Sequence, residues 1–328
     1  MRGIYALLLT CLLCAAPHPI AAAETMTDGA KAGAGTETSY SVEPAYKFIF
    51  GTGHYRSRDI SADLYLPDGF SMNADYNYYR SDISSATKTY SFGADKNFGQ
   101  YSLGASCTLE PLQNDFRSSS FGFNASFHTD SRDFRTTLTA NGSVANDFQD
   151  IRVSTASKGM KVTQRSATIG VKQQFFGARI KAEVSGYGYS PDISSYSLQL
   201  ARWEAKLNKA HPRLFKKTSG AIDGANGLLT GYPGWSARIG LYQDIDALPA
   251  PLTLWGKYEN THFLAAYEYR PPAPPIHTLV SGMTADSVTC GMDIDFGRQI
   301  SGTLQYEHVR ETGQTTQELY GVSLSAMF

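Results

Sequence analysis

Tyr320-Gly321-Val322-Ser323-Leu324-Ser325-Ala326-Met327-Phe328 is the stretch that decides the fold. Successive side chains of an extended chain point to opposite faces. Tyr320, Val322, Leu324, Ala326 and Phe328 therefore share one face, and Gly321, Ser323 and Ser325 share the other. The same alternation continues upstream. Ile300, Gly302, Leu304 and Tyr306 oppose Ser301, Thr303, Gln305 and Glu307, and Val288, Cys290, Met292, Ile294 and Phe296 oppose Thr289, Gly291, Asp293 and Asp295. Further up, Phe70, Met72, Ala74, Tyr76 and Tyr78 oppose Ser71, Asn73, Asp75 and Asn77. A period of two sustained over this distance predicts an all-β chain.

A secreted β-sandwich or β-helix also alternates. Two features favour a closed barrel in a membrane. The polar face carries small residues and charges at mid-strand, where a wet interior solvates them, and the apolar face carries aromatics at strand ends, as an interfacial girdle requires. No segment beyond the N-terminus approaches the ~20 apolar residues of a spanning helix. In hydrocarbon a closed barrel is then the remaining way to satisfy every backbone N–H and C=O. The expected architecture is a transmembrane antiparallel up-and-down barrel over 45–328. It has about sixteen strands, with fourteen as the alternative, and the segments 194–206, 252–259 and 262–270 are each read as a strand. The segment 60–66 is the weakest of the strands.

The chain opens with Arg2, an apolar run from about Ile4 to Ala16, and Ala21-Ala22-Ala23. This reads as a secretory signal over 1–23, with a flexible periplasmic lead-in over 24–44. The 328 residues carry a formal charge of −1, which gives no basic excess for binding nucleic acid. Beyond the signal only Cys107 and Cys290 remain. The alternation puts both on the lipid face of separated strands, so neither a bridge nor a metal or redox centre is expected. No cofactor is expected.

The terminal strand resembles the recognition signal of Gram-negative outer-membrane proteins, which end in an aromatic residue with apolar residues at every second position before it. The resemblance implies that Tyr320, Val322, Leu324, Ala326 and Phe328 serve as an assembly signal read by the β-barrel assembly machinery, and that the chain lives in outer-membrane lipid. With both termini periplasmic, short links such as Pro67-Asp68-Gly69, Phe176-Gly177 and Asn260-Thr261 fall on the periplasmic side, and the longer 145–162, 271–285 and 311–316 fall outside. The segment 207–234 disagrees, being long yet assigned to the periplasm.

The inward charges are the candidate functional residues: Arg135, Lys172, Arg179, Lys181, Glu183, Arg238, Lys257, Glu259, Glu268, Asp293, Asp295 and Glu307, with Lys47, Asp63, Asp75, Asp95, Glu110 and Arg270 beside them. One reading is a porin-like channel whose transverse field orients small polar solutes. The other is a set of ion pairs filling a non-transporting barrel that serves as an interaction or structural part of an envelope-assembly or export system. Basic 207–234 and the Pro-rich loop 271–277 are candidate constriction or contact elements. An enzyme is not expected. His128, Asp130 and Ser131 alone combine the right residue types, and they fall at a turn that needs no catalytic explanation. Solute preference and oligomeric state leave no readable pattern.

Overall fold

The computed structural model describes residues 40–80, 86–113, 116–129, 134–153, 156–213, 215, 229, 231–245, 250–269, 278–280, 282–296, 299–311 and 316–328. The segment read as a secretory signal, most of the segment read as a lead-in, Asp130 and Ser131, Arg270, the Pro-rich loop and most of 214–230 lie outside the described residues.

Fourteen strands close the barrel. They are β1 (Ser41–Gly51), β2 (Tyr55–Leu66), β3 (Phe70–Arg80), β4 (Thr87–Asn97), β5 (Tyr101–Gln113), β6 (Phe116–His128), β7 (Phe134–Val153), β8 (Ala156–Phe175), β9 (Ala178–Ser190), β10 (Pro233–Ile245), β11 (Leu252–Phe263), β14 (Thr284–Asp295), β15 (Ile300–Glu311) and β16 (Gln317–Ala326). Two short strands, β12 (Ala266–Glu268) and β13 (Thr278–Val280), form a separate two-stranded sheet, and one helix, α1 (Ile193–Ala210), joins β9 to β10. Each barrel strand pairs antiparallel with its sequence neighbour, and β1 pairs with β16 to close the ring. At the seam Val42 N donates to Phe328 O at 3.0 Å and Phe328 N to Val42 O at 2.9 Å.

The count is fourteen, not the sixteen first expected, and two segments account for the difference. Residues 194–206 are helical. Tyr196, Leu198 and Leu200 satisfy a period of two, but Ile193, Leu200 and Leu207 recur every seventh position and so share one helical face. Asp192 caps the helix by accepting from Ser195 N at 2.8 Å. Asn260-Thr261 is not a turn but part of β11, where Asn260 donates to Asp286 on β14 at 2.8 Å. The stretch 262–270 ends β11 and then supplies β12, so Glu268 is not on a barrel strand.

Both corrections shift the parity of the links. The connection between β9 and β10 now leaves from the end opposite the termini, together with the connection between β11 and β14. The disagreement over 207–234 disappears, because every long link is at one end. Residues 145–162 also differ from expectation. Within them 145–153 extends β7 and 156–162 extends β8 as paired strands rather than a loop. At the other end Phe176 (φ 46°) and Gly177 (φ 78°) both take positive φ, as a two-residue hairpin requires. β1 begins at Ser41 and so takes in the last four residues of the segment read as lead-in.

The exterior is apolar. Ile60, Phe92, Leu103, Phe121, Leu138, Ile169, Val184, Leu241, Leu304 and Leu324 are all exposed. Aromatics gather in two bands. Tyr101 packs on Phe127 and Phe134 on Phe176 near the terminal end, both at 5.1 Å, while Phe50, Tyr320 and Tyr306 pack in series at 5.7 and 5.3 Å nearer the other end. Cys107 and Cys290 are free, on β5 and β14.

A buried cluster lies at the end opposite the termini. Met160 and Val162 of β8, Ile193 and Leu200 of α1, and Leu229, Tyr232 and Ala266 form it. The helix is tied down further. Tyr196 OH accepts from Lys161 N at 3.1 Å, Ser194 Oγ donates to Ala265 O at 3.1 Å, and Asn208 Nδ2 donates to Tyr269 OH at 3.0 Å. Tyr232 OH donates to Asp147 at 3.0 Å, and Ser118 Oγ donates to the same carboxylate at 2.7 Å. The long β7–β8 hairpin and α1 therefore stand together over the barrel mouth.

Candidate functional site

The interior is divided by charge. The inward positions of β2 to β6 carry Asp59, Asp63, Asp75, Asp95 and Glu110, with no Lys or Arg among the described residues. Amides and hydroxyls hold these carboxylates in place. Asn73 donates to Asp75 at 3.2 Å and Asn124 to Asp95 at 3.0 Å. Asn77 bridges Ser57 and Asp59. Asp63, Asp75, Asp95 and their amides line a cavity of about 250 Å³.

Four cations cluster on the far side of the ring, on β9, β10 and β11, while Lys47 on β1 stands opposite Asp59. The pairing register dictates their order. Arg238 is the cross-strand partner of both Glu183 and Glu259. Arg238 donates Nε to Glu259 at 2.9 Å and Nη2 to the same oxygen at 2.5 Å, and its Nη1 is 3.9 Å from Glu183. Lys181 is 3.4 Å from Glu183. One row toward the terminal end, Lys181, Gly240 and Lys257 are partners. Gly240 leaves space for the Tyr242 ring, which lies 5.4 Å below Arg179 and 5.7 Å below Lys257. Trp255 lies beneath Lys257 at 4.7 Å, and Arg179 pairs with Asp244 at 2.9 Å. Guanidinium and ammonium groups over aromatic faces keep their charge while gaining a fixed position.

Hydroxyl pairs recur around the interior from β4 to β9. Ser91 meets Thr108 at 3.1 Å, Ser143 meets Ser166 at 2.7 Å, and Thr168 meets Ser185 at 2.7 Å. Each pair bridges neighbouring strands, so these hydroxyls satisfy one another without long side chains filling the interior. A second cavity, of about 310 Å³, is lined by Lys47, Arg238, Lys257, Glu307 and Glu311 among others.

Of the residues singled out from the sequence, Arg179, Lys181, Glu183, Arg238, Lys257 and Glu259 come together on three adjacent strands. Arg135 and Lys172 stand apart, toward the terminal end of β7 and β8. Asp293 accepts from Thr303 at 2.8 Å and Glu307 from Ser287 at 2.8 Å, on β14 and β15, with Asp295 at the terminal end of β14. Glu268 lies outside the barrel wall, in β12. Tyr320, Val322 and Leu324 are exposed on the outer face of β16, with Phe328 beyond its end. Sequence reasoning missed Asp59, which precedes the segment 60–66 read as a strand but lies within β2. Its spacing of four from Asp63 was the available signal. Asp244, Tyr242 and Trp255 were missed too, because their role depends on register with Arg179 and Lys257.

A closed ring of antiparallel strands with an apolar exterior and a polar, charged interior defines an outer-membrane β-barrel protein. No family model matches the chain, and no curated protein matches it. Solved structures that resemble it include a loop L8 deletion mutant of OmpT, an outer-membrane protein of Vibrio cholerae (7% identity over 89% of this chain and 99% of that one, TM-score 0.41). CdiB from Acinetobacter baumannii aligns at 9% identity over 89% of this chain and 60% of its own, with a TM-score of 0.47. Pseudomonas putida OprB aligns at 7% identity over 88% and 94%, also at 0.47. The class rests on the strand order and the two faces described above, not on these likenesses.

Proposed function

We propose that the barrel is a porin-like channel for small polar solutes. One observation carries the reading: a carboxylate wall on β2 to β5 faces a cation-rich wall on β9 to β11 across a lining of small hydroxyls. Such an arrangement sets a field across the lumen that orients dipolar solutes and leaves room for them to pass. On the acidic side Asp63, Asp75 and Asp95 stand without a cationic cross-strand partner, although pairing opposite charges across neighbouring strands is favourable.

The cluster beneath α1 favours a second reading, a barrel whose mouth is covered and which acts as a contact element in an envelope assembly. Planar-bilayer conductance separates the two. The intact protein is compared with a variant in which 191–232 is replaced by a short Gly-Ser linker. β9 and β10 are paired neighbours, so a few residues suffice to join them. The channel reading expects steps from the intact protein and larger steps from the variant. Silence from both would overturn it.

A further inference from the structure

The outer face of β2, β3 and β4 carries a cluster of cations that the lumen does not use. Arg56 and Arg80 are direct cross-strand partners. In the next row Arg58 partners Tyr78, and Tyr78 partners Lys88. Arg56, Arg58, Arg80 and Lys88 are all exposed, at the end opposite the termini. No ion pair to any of them is found among the described residues.

Like charges placed directly opposite on neighbouring strands destabilise a sheet. Four within two rows of a lipid-facing wall call for an anion from outside the protein. The neighbouring side chains give its surroundings. Tyr76 and Tyr90 pack at 5.3 Å just below the cations, and exposed Ile60, Met72 and Phe92 follow further down. Cations over an aromatic band over aliphatic side chains match a molecule with phosphates at the top and acyl chains beneath. Long links gather at this end, which is the extracellular side of a bacterial barrel.

We infer that Arg56, Arg58, Arg80 and Lys88 bind the phosphates of a phosphorylated outer-leaflet lipid. Guanidinium groups suit such bidentate contact. Tyr78, set between Arg58 and Lys88, offers a hydroxyl to the same headgroup.

The test uses the full chain refolded in detergent, with diphosphoryl lipid A as probe and retention read by native mass spectrometry. The wild-type protein is expected to retain the probe, and the quadruple variant R56Q/R58Q/R80Q/K88Q to lose at least about tenfold of that affinity. The charge-preserving R56K/R58K/R80K variant should retain most of it, and Lys96→Gln at the opposite end should change nothing. All four side chains face outward, and a heat-modifiable gel band verifies that each variant is folded. Equal retention by wild type and the quadruple variant would overturn the assignment. So would displacement of the probe by millimolar inorganic phosphate, or equal retention of the same lipid stripped of its phosphates.

Discussion

Arg238 has two carboxylates, Glu183 and Glu259, as its cross-strand partners. Together with Lys257 it gives the β9–β11 wall its cationic excess over Glu183, Glu259 and Asp244. Replacing Arg238 and Lys257 by Gln leaves Glu259 without its guanidinium and Glu183 with Lys181 alone, and shifts the zero-current potential in a KCl gradient toward cations. The Debye length is about 10 Å at 0.1 M salt and about 3 Å at 1 M. The shift should therefore be large in dilute salt and shrink in concentrated salt, and a shift independent of salt would contradict a field-based selectivity. On the opposite face of the wall the same logic runs through lipid. Ile169 is among the most exposed apolar side chains of the exterior. Ile169→Arg should cost about 2–4 kcal/mol of folding free energy if it lies at the bilayer midplane, read by denaturant titration in vesicles.

At the scale of elements, strands were legible and the helix was not. A strand that faces lipid on one side and water on the other writes its period into the sequence, as 300–307 does. In α1 the residues Tyr196, Leu198 and Leu200 satisfy two periods at once, and only the wider spacing of Ile193, Leu200 and Leu207 decides between them. The upper half of the β7–β8 hairpin was hidden for a different reason. Asn146, Asp147 and Asp150 look like loop residues, yet Asp147 is buried and served by Ser118 and Tyr232. Polarity in sequence marks a loop only when tertiary partners are lacking, and those partners are 29 and 85 positions away. Parity offered a face for each charge but not the division into two walls, which needs the ring order, and it gave Glu268 a barrel strand that it does not have. Leu200→Ala removes a side chain from the centre of the α1 cluster and should cost about 2–5 kcal/mol locally. Tyr232→Phe should cost less, about 1–3 kcal/mol, by leaving Asp147 short of a donor. Both should speed proteolysis within 191–232 while the barrel keeps its heat-modifiable band. Loss of that band would mean that the helix holds the barrel together rather than standing over it.

The whole molecule makes a claim about strand number that cross-linking can examine. In a ring of fourteen, β11 is the direct neighbour of β14, with Thr253 opposite Asp293. With Cys107 and Cys290 first replaced by Ser, T253C/D293C should form a disulfide, since bridged cysteines need Cα atoms within about 7 Å. A sixteen-strand ring would interpose another strand between them, about 10 Å apart at the usual strand spacing, and no bridge would form.

The seam between β1 and β16 has a consequence in time. Ala45 pairs with Ser325, so the two strands that seal the ring are nearly the most distant in the chain. Until they meet, each is an edge with a row of unpaired backbone groups, open to any other strand in reach. Contacts between remote segments form slowly. The joining of the chain's two extremes is therefore expected to be the last step of folding rather than the first.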